Sequence, residues 1–244
     1  MKNLPKLLND AHLLNEIDIG VITKNLKIPW LKLDFSIAKP TKAQINTLIT
    51  NQDWRKVWKF KDYSINSYQV KNWNGQMLFG PTDFAKFLEK SNKNKNLTNL
   101  DEDTKCKYFR KIFNYDWYVG EHNFIRKEIQ KYIPKNDLNI VNTYVLSPGG
   151  YVFPHRDYSI DGLGLAKIYI ALKWPEGSTF GMYGCGNLPI QEGDAFLINN
   201  YTLPHWVVNQ SNDHRIVIDI GANLHSPVLK ESIIKSFKKT FLLS

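Results

Sequence analysis

The stretch Gln191-Glu-Gly-Asp-Ala-Phe-Leu-Ile-Asn-Asn-Tyr-Thr-Leu-Pro-His-Trp-Val-Val-Asn-Gln-Ser-Asn-Asp-His-Arg-Ile-Val-Ile-Asp-Ile220 decides the fold class. It holds three short runs, Ala195 to Ile198, His205 to Asn209 and Arg215 to Ile220, separated by Asn, Pro, Ser and Asp. Short strands divided by turn residues make an antiparallel sandwich or barrel. Glu192-Gly-Asp is a tight turn ahead of the first run. Side chains alternate along a strand, so Arg215, Val217 and Asp219 share one face, and Ile216, Ile218 and Ile220 the other. By the same rule His205 shares a face with Val207 and Asn209.

Upstream the pattern continues. Ile140 to Leu146 is a run turned by Pro148-Gly-Gly, and Tyr151 to Pro154, Ala166 to Leu172 and Thr179 to Tyr183 follow. Lys167 and Tyr169 lie opposite Ile168, Ile170 and Leu172, while Asn142 and Tyr144 share a face. Several strands thus carry one polar face. Those faces either meet water, as in a half-buried sheet, or line one interior pocket holding a metal, Arg215, Lys167 and Tyr144. His155 and Asp157, in Phe-Pro-His-Arg-Asp, project to one side of an extended segment or its end. His205 lies fifty residues on and Arg215 ten beyond that. His-x-Asp with a distant His is the two-His-one-carboxylate ligand set of non-haem Fe(II) oxygenases. The tripeptide alone is common by chance; the whole constellation on or beside strands is rarer, and it favours the metal pocket.

The first half, to about residue 137, is irregular. Ile28 to Phe35 alternates, with Leu31, Leu33 and Phe35 on one face, and reads as a half-buried strand. Pro40 to Ile49 opens a helix with Thr41 as N-cap. Trp54 to Tyr68 interleaves aromatics with Arg55, Lys56, Lys59 and Lys61. That mixture can stack on and neutralise a nucleic acid, though a strand pair with solvated lysines is the simpler reading. Pro81 to Glu89 is a short helix capped by Thr82 or Asp83. Ser91 to Lys107, rich in Asn and Lys, reads as a surface loop or mobile insertion. Asn123 to Ile133 is helical with Phe124, Ile125, Ile129 and Ile133 on a stripe, and Pro134 ends it. After the β region, Leu229, Ile233, Phe237 and Phe241 recur every four residues in a C-terminal amphipathic helix expected to pack on the barrel.

Composition sets the bounds. The 244 residues suit one structural domain, divided as 1–137, 138–222 and 223–244. The chain is 43% hydrophobic and 13% aromatic, enough for a sizeable core. A net charge of +9 would suit an acidic partner, nucleic acid included, without requiring one. Two cysteines, Cys106 and Cys185, make no disulfide framework and fit a reducing, cytoplasmic setting. No signal peptide or membrane span is expected.

The chain resembles the Fe(II)/2-oxoglutarate-dependent oxygenases, and among them the aspartyl/asparaginyl β-hydroxylase-like branch. The resemblance rests on Tyr151-Val-Phe-Pro-His-Arg-Asp, on Lys167-Ile-Tyr-Ile-Ala-Leu and on Gln191 to Asp219, and covers roughly residues 139–221. It implies a mainly β fold with flanking helices, a double-stranded β-helix or cupin-like jelly roll. It implies that His155, Asp157 and His205 bind iron, and that Arg215 pairs with the distal carboxylate of 2-oxoglutarate through its bidentate fork. Where many members have Arg-x-His, this chain has Lys167-Ile-Tyr169; Lys167, Tyr169 and Tyr144 are expected at the cosubstrate. The implied reaction consumes O₂ and 2-oxoglutarate, releases succinate and CO₂, and hydroxylates an amino acid, free or within a peptide or protein. Retention of Asp157 favours hydroxylation over halogenation.

Rival readings differ in what they ask of particular residues. His155-Arg156-Asp157 spells the protein-kinase tripeptide, but Gly162 stands where that motif needs Asn, and no Asp-Phe-Gly follows. A cupin-like enzyme that does not use 2-oxoglutarate leaves Arg215 without a role. A non-catalytic jelly-roll binding module leaves the complete ligand set unexplained. His12, His122, His214 and His225 read as ordinary polar residues, and Cys185 as part of a flexible Gly-Cys-Gly turn.

Overall fold

The computed structural model describes residues 29–50, 70–93, 100, 102–118, 123–157, 167–200 and 203–241. The basic-aromatic stretch Trp54 to Tyr68, together with His12 and His122, lies outside the described residues.

Among the described residues ten strands carry the fold: β1 (Trp30–Ser36), β2 (Val70–Pro81), β3 (Tyr115–Trp117), β4 (Leu138–His155), β5 (Lys167–Lys173), β6 (Ser178–Met182), β7 (Gly186–Asn187), β8 (Asp194–Ile198), β9 (His205–Asn209) and β10 (Arg215–Ala222). Helices α1 (Lys42–Thr50), α2 (Phe84–Lys93), α3 (Glu102–Ile112), α4 (Asn123–Gln130) and α5 (Pro227–Phe241) flank them. The strands run β1-β8-β5-β10-β4-β9-β6-β7, with β2 along the other side of β4 and β3 on β2. All pairings are antiparallel. Alternate chain segments thus fall into two facing layers, β8-β5-β10-β4 and β4-β9-β6-β7, which is the double-stranded β-helix, or jelly roll. Among the described residues no helix is long and apolar enough to cross a membrane.

β4 joins the layers. Its first half pairs with β10 from Leu138 to Leu146, and its second half with β9 from Tyr151 to His155. Pro148-Gly-Gly is therefore not a turn between two strands but a bend within one. Gly149 takes φ +68° there. A Cβ on Gly150 would come within 2.7 Å of Leu146 Cδ1 and Ser147 O, so only glycine fits that bend.

Alternation sorts the two cores. Ile168, Ile170, Leu172, Ile216, Ile218 and Ile220 face outward onto α1, α4 and α5, against Leu48, Ile125, Ile129, Leu229 and Ile233. Tyr169, Ala171, Phe196, Val217, Phe180 and Val207 face inward, between the layers. A third cluster, Met77, Phe87, Phe109, Phe113 and Ile140, seats α2 and α3 on β2 and β4.

Local signals explain the helix ends. Thr41 and Gln44 form a reciprocal capping box: Gln44 N–H donates to Thr41 Oγ1 (3.3 Å), and Thr41 N–H donates to Gln44 Oε1 (2.8 Å). Lys86 N–H donates to Asp83 Oδ1 (3.1 Å), so Asp83 caps α2. Ser91 to Lys107 is not simply a loop: α2 runs through Ser91, and α3 begins at Glu102. The helical pull comes from Cys106 and Phe109, buried from α3, which the charged residues around them conceal in the sequence. Arg215, Val217 and Asp219 do face the interior, as do Lys167 and Tyr169. The layer between the sheets therefore carries the polar groups that could hold a ligand.

Candidate metal centre

Strand pairing assembles the site. His155 ends β4 and His205 opens β9, and the two are register partners. Their ring centroids lie 4.3 Å apart. Asp157, two residues past the end of β4, is tied by its N–H to the backbone oxygen of Asn200 (3.1 Å), just after β8. Asp157 Oδ1 lies 3.3 Å from His155 Nε2 and 3.6 Å from His205 Nε2. The three ligand atoms all fall within 4.8 Å of one another. Metal bonds of about 2.0–2.2 Å put neighbouring ligands about 3 Å apart, so this trio could hold one ion.

Each ligand is presented in a usable form. His155 Nδ1 meets the Phe153 carbonyl oxygen at 2.8 Å, so a neutral ring donating there would turn the Nε2 lone pair toward Asp157. Burial works to lower this imidazole's pKa, but Asp157 outweighs it and raises it, so a metal would take the place of a proton on Nε2. Burial pushes His205 down to about 4, with Asp157 pulling the other way, so this imidazole is neutral near pH 7. Phe180 stacks on it at 5.3 Å. Burial works to raise the Asp157 carboxyl, but Lys167 foremost, with His155, holds it well below the usual carboxylate range. A neutral imidazole and an ionised carboxylate are what a cation needs.

Arg215 lies on β10 with only 2% of its surface exposed. Its Nη2 donates to the Tyr169 hydroxyl, and its guanidinium carbon lies 4.5 Å over the Trp174 ring. Its Nε has no hydrogen-bond partner among the described residues. Among the described residues no carboxylate forms an ion pair with it. Burial lowers its pKa, with Tyr169 opposing, from a value so high that the group stays charged. A buried, unpaired cation is costly, and a bound carboxylate removes that cost.

Lys167 has different company. Its Nζ lies 2.8 Å from Asp157 Oδ2 and 2.8 Å from Asp219 Oδ2. Asn200 Nδ2 also donates to Asp157 Oδ2, at 2.6 Å. Tyr169 touches Arg215 directly. Tyr144 faces the same interior, with its ring stacked on Trp73 at 4.9 Å. Gly75 makes room for that ring: a Cβ there would lie 2.5 Å from Tyr144 Cδ1. The oxygens Asn142 Oδ1 and Asp219 Oδ1, on register partners of β4 and β10, are buried without donors among the described residues.

Sequence reasoning missed Trp174 and Asn200. Both sit just past strand ends, where alternation no longer says which way a side chain points. Asp219 was legible as interior-facing but not as the partner of Lys167.

No family model matches the chain, and no curated protein matches it. Solved structures give distant likenesses. A Trichoplax adhaerens prolyl hydroxylase in complex with a hypoxia-inducible-factor peptide fragment is 10% identical over 90% of this chain and 92% of its own, with a TM-score of 0.42. The collagen prolyl hydroxylase of Paramecium bursaria Chlorella virus-1 is 14% identical over 79% and 94%, with a TM-score of 0.38. A predicted oxalate decarboxylase from Thermotoga maritima is 22% identical over 36% of this chain and 69% of its own, with a TM-score of 0.27. At such scores the likenesses decide nothing about this chain's chemistry, which rests on its own side chains.

Proposed function

We propose that the chain is an Fe(II)- and 2-oxoglutarate-dependent dioxygenase that hydroxylates an amino acid, free or within a peptide or protein. The observation that carries this is Arg215, a buried guanidinium without an acidic partner among the described residues, linked through the rings of Tyr169 and Phe180 to His205 of the metal trio. The reading extends to the aspartyl/asparaginyl β-hydroxylase-like branch on the sequence motifs alone.

The residues fit both groups. Two imidazole nitrogens and one carboxylate oxygen suit Fe(II) and leave coordination positions open. The formal charges of Asp157, Asp219, Lys167 and Arg215 cancel, so a divalent cation entering with a dianion leaves the buried site balanced. Arg215 would hold the far carboxylate of 2-oxoglutarate, and Tyr169 with Trp174 keeps the guanidinium aimed. When bound, iron and 2-oxoglutarate with O₂ supply the oxidation, one oxygen atom going to substrate and one to succinate as CO₂ leaves. Phe180, Val207 and Val217 line the inner side of the centre with apolar surface. The donor-free oxygens of Asn142 and Asp219 suit N–H groups of an amino acid or peptide.

The test is anaerobic titration of the full chain with Fe(II) and then 2-oxoglutarate, followed by the charge-transfer absorption of the chelate. Absorption that saturates with 2-oxoglutarate, then succinate formation on admitting air, is the expected result. Iron binding with no response to 2-oxoglutarate would favour a cupin-like enzyme with other chemistry.

A further inference from the structure

The sequence motif places Lys167 among groups awaiting the cosubstrate, but the geometry gives it another task. A carboxylate can grip a metal through one oxygen or two, and the second oxygen takes up a position the chemistry needs open. Here the two oxygens of Asp157 are unlike. Oδ2 accepts from Lys167 Nζ at 2.8 Å and from Asn200 Nδ2 at 2.6 Å, which occupies its lone pairs. Oδ1 faces both His Nε2 atoms, at 3.3 and 3.6 Å.

We propose that Lys167, held by Asp219 and assisted by Asn200, is a positioning residue that locks Asp157 Oδ2 and so makes Asp157 a one-oxygen metal ligand. This rests on the metal-centre reading above. Lys167 does not hold 2-oxoglutarate.

Three features support the assignment. Lys167 is shared between two carboxylates, so releasing it to a third would leave buried charges uncompensated. Asp219 is the anchor: its backbone lies mid-strand in β10, hydrogen-bonded into the sheet between β4 and β5, opposite Asn142 and Tyr169. It also cancels the lysine's charge, so the lock brings no net positive charge beside the cation. Finally, the Asp157 N–H is fixed to Asn200 O at 3.1 Å, so the same residue holds both backbone and side chain of the ligand. Partners behind metal ligands generally change metal affinity by about 10–100-fold when removed.

The experiment compares Co(II) binding by the unsubstituted chain and by Lys167→Met/Asp219→Asn. The pair is removed together so that the charge balance is kept, and circular dichroism checks the fold. The Co(II) absorption spectrum, the Co(II) dissociation constant and the 2-oxoglutarate dissociation constant of the metal-loaded proteins are read. The double variant is expected to show an altered Co(II) spectrum and Co(II) binding weaker by at least about tenfold, with diacid affinity within a few-fold of unsubstituted. Lys167→Arg, which keeps a charged donor on Oδ2, should restore the spectrum. Should the double variant not fold, Asn200→Ala reads the lock through its other donor, with a spectral shift expected in the same direction. An unchanged spectrum and Co(II) affinity with a large loss of 2-oxoglutarate affinity would overturn the inference and make Lys167 a cosubstrate ligand. Failure of the unsubstituted chain to bind Co(II) would overturn the metal-centre reading itself and this role with it.

Discussion

Arg215 is the residue whose cost and use can be separated. Buried with its Nε unpartnered, it spends stability on a charge that only a ligand can match. Replacing such a charge by an apolar side chain of similar size is often neutral or stabilising. Arg215→Met should therefore leave the ligand-free melting temperature unchanged or raised, while its stabilisation by 2-oxoglutarate disappears. Calorimetry of both chains with and without the diacid checks this; a variant that melts lower yet still responds would show a structural arginine. At the opposite end of the pocket, Asp157→Ala removes the one anionic ligand atom from the trio. It should abolish Co(II) binding at concentrations that saturate the unsubstituted chain, measured by the metal's absorption. That the trio converges and that Arg215 faces the interior was legible, because ligand chemistry restricts residue type and strands restrict direction. Which carboxylate Lys167 would meet was not, since alternation assigns a face and leaves the partner to the packing of β5 against β10.

At the scale of elements, α5 does two jobs. Leu229, Ile233 and Phe237 fill the outer core, and the four-residue repeat announced it. Ile233→Ala should cost about 2–4 kcal/mol, read from urea unfolding; a loss under about 1 kcal/mol would mean the helix is not docked as described. The same helix covers the edge strand β1, whose exposed groups would otherwise invite pairing with another chain. Asp34 N–H donates to Ser236 Oγ (2.8 Å), Ser232 donates to Asp34 Oδ1 (2.6 Å), and Lys235 lies 2.9 Å from Oδ2. Burial works to raise the Asp34 carboxyl, but Ser232 and Lys235 outweigh it and leave the pKa below its ordinary value. A carboxyl depressed by folding adds stability that is full above its unfolded pKa and fades as pH falls through the folded value. Asp34→Asn should thus be less stable than the parent at pH 7, with the gap closing below about pH 4; urea midpoints across pH that keep a constant gap would contradict it. β2 escaped sequence reasoning for a physical reason. Its register shifts twice, between Lys71 and Trp73 and between Met77 and Phe79, and each bulge resets the alternation by which strands are recognised.

For the molecule as a whole, charge balance predicts linkage. Metal alone or diacid alone would leave the pocket unbalanced, whereas both together restore neutrality. The rise in melting temperature with Mn(II) and 2-oxoglutarate together should exceed the sum of the separate rises; additive shifts would show that the two sites ignore each other. The two-layer architecture was legible from the spacing of short strands in residues 139–221. The contribution of the first half was not, because β1 and β2 find their partners only across the finished structure. Trp30 pairs with Ile198, and Val70 with Val152. That long reach bears on how the protein is made. Contacts between distant chain positions close late and make folding slow, and His205 cannot meet His155 until β9 docks on β4. A newly synthesised chain would therefore not bring the three ligand atoms of the proposed centre together until the roll is closed. Any metal taken up there would enter a folded chain rather than guide its collapse.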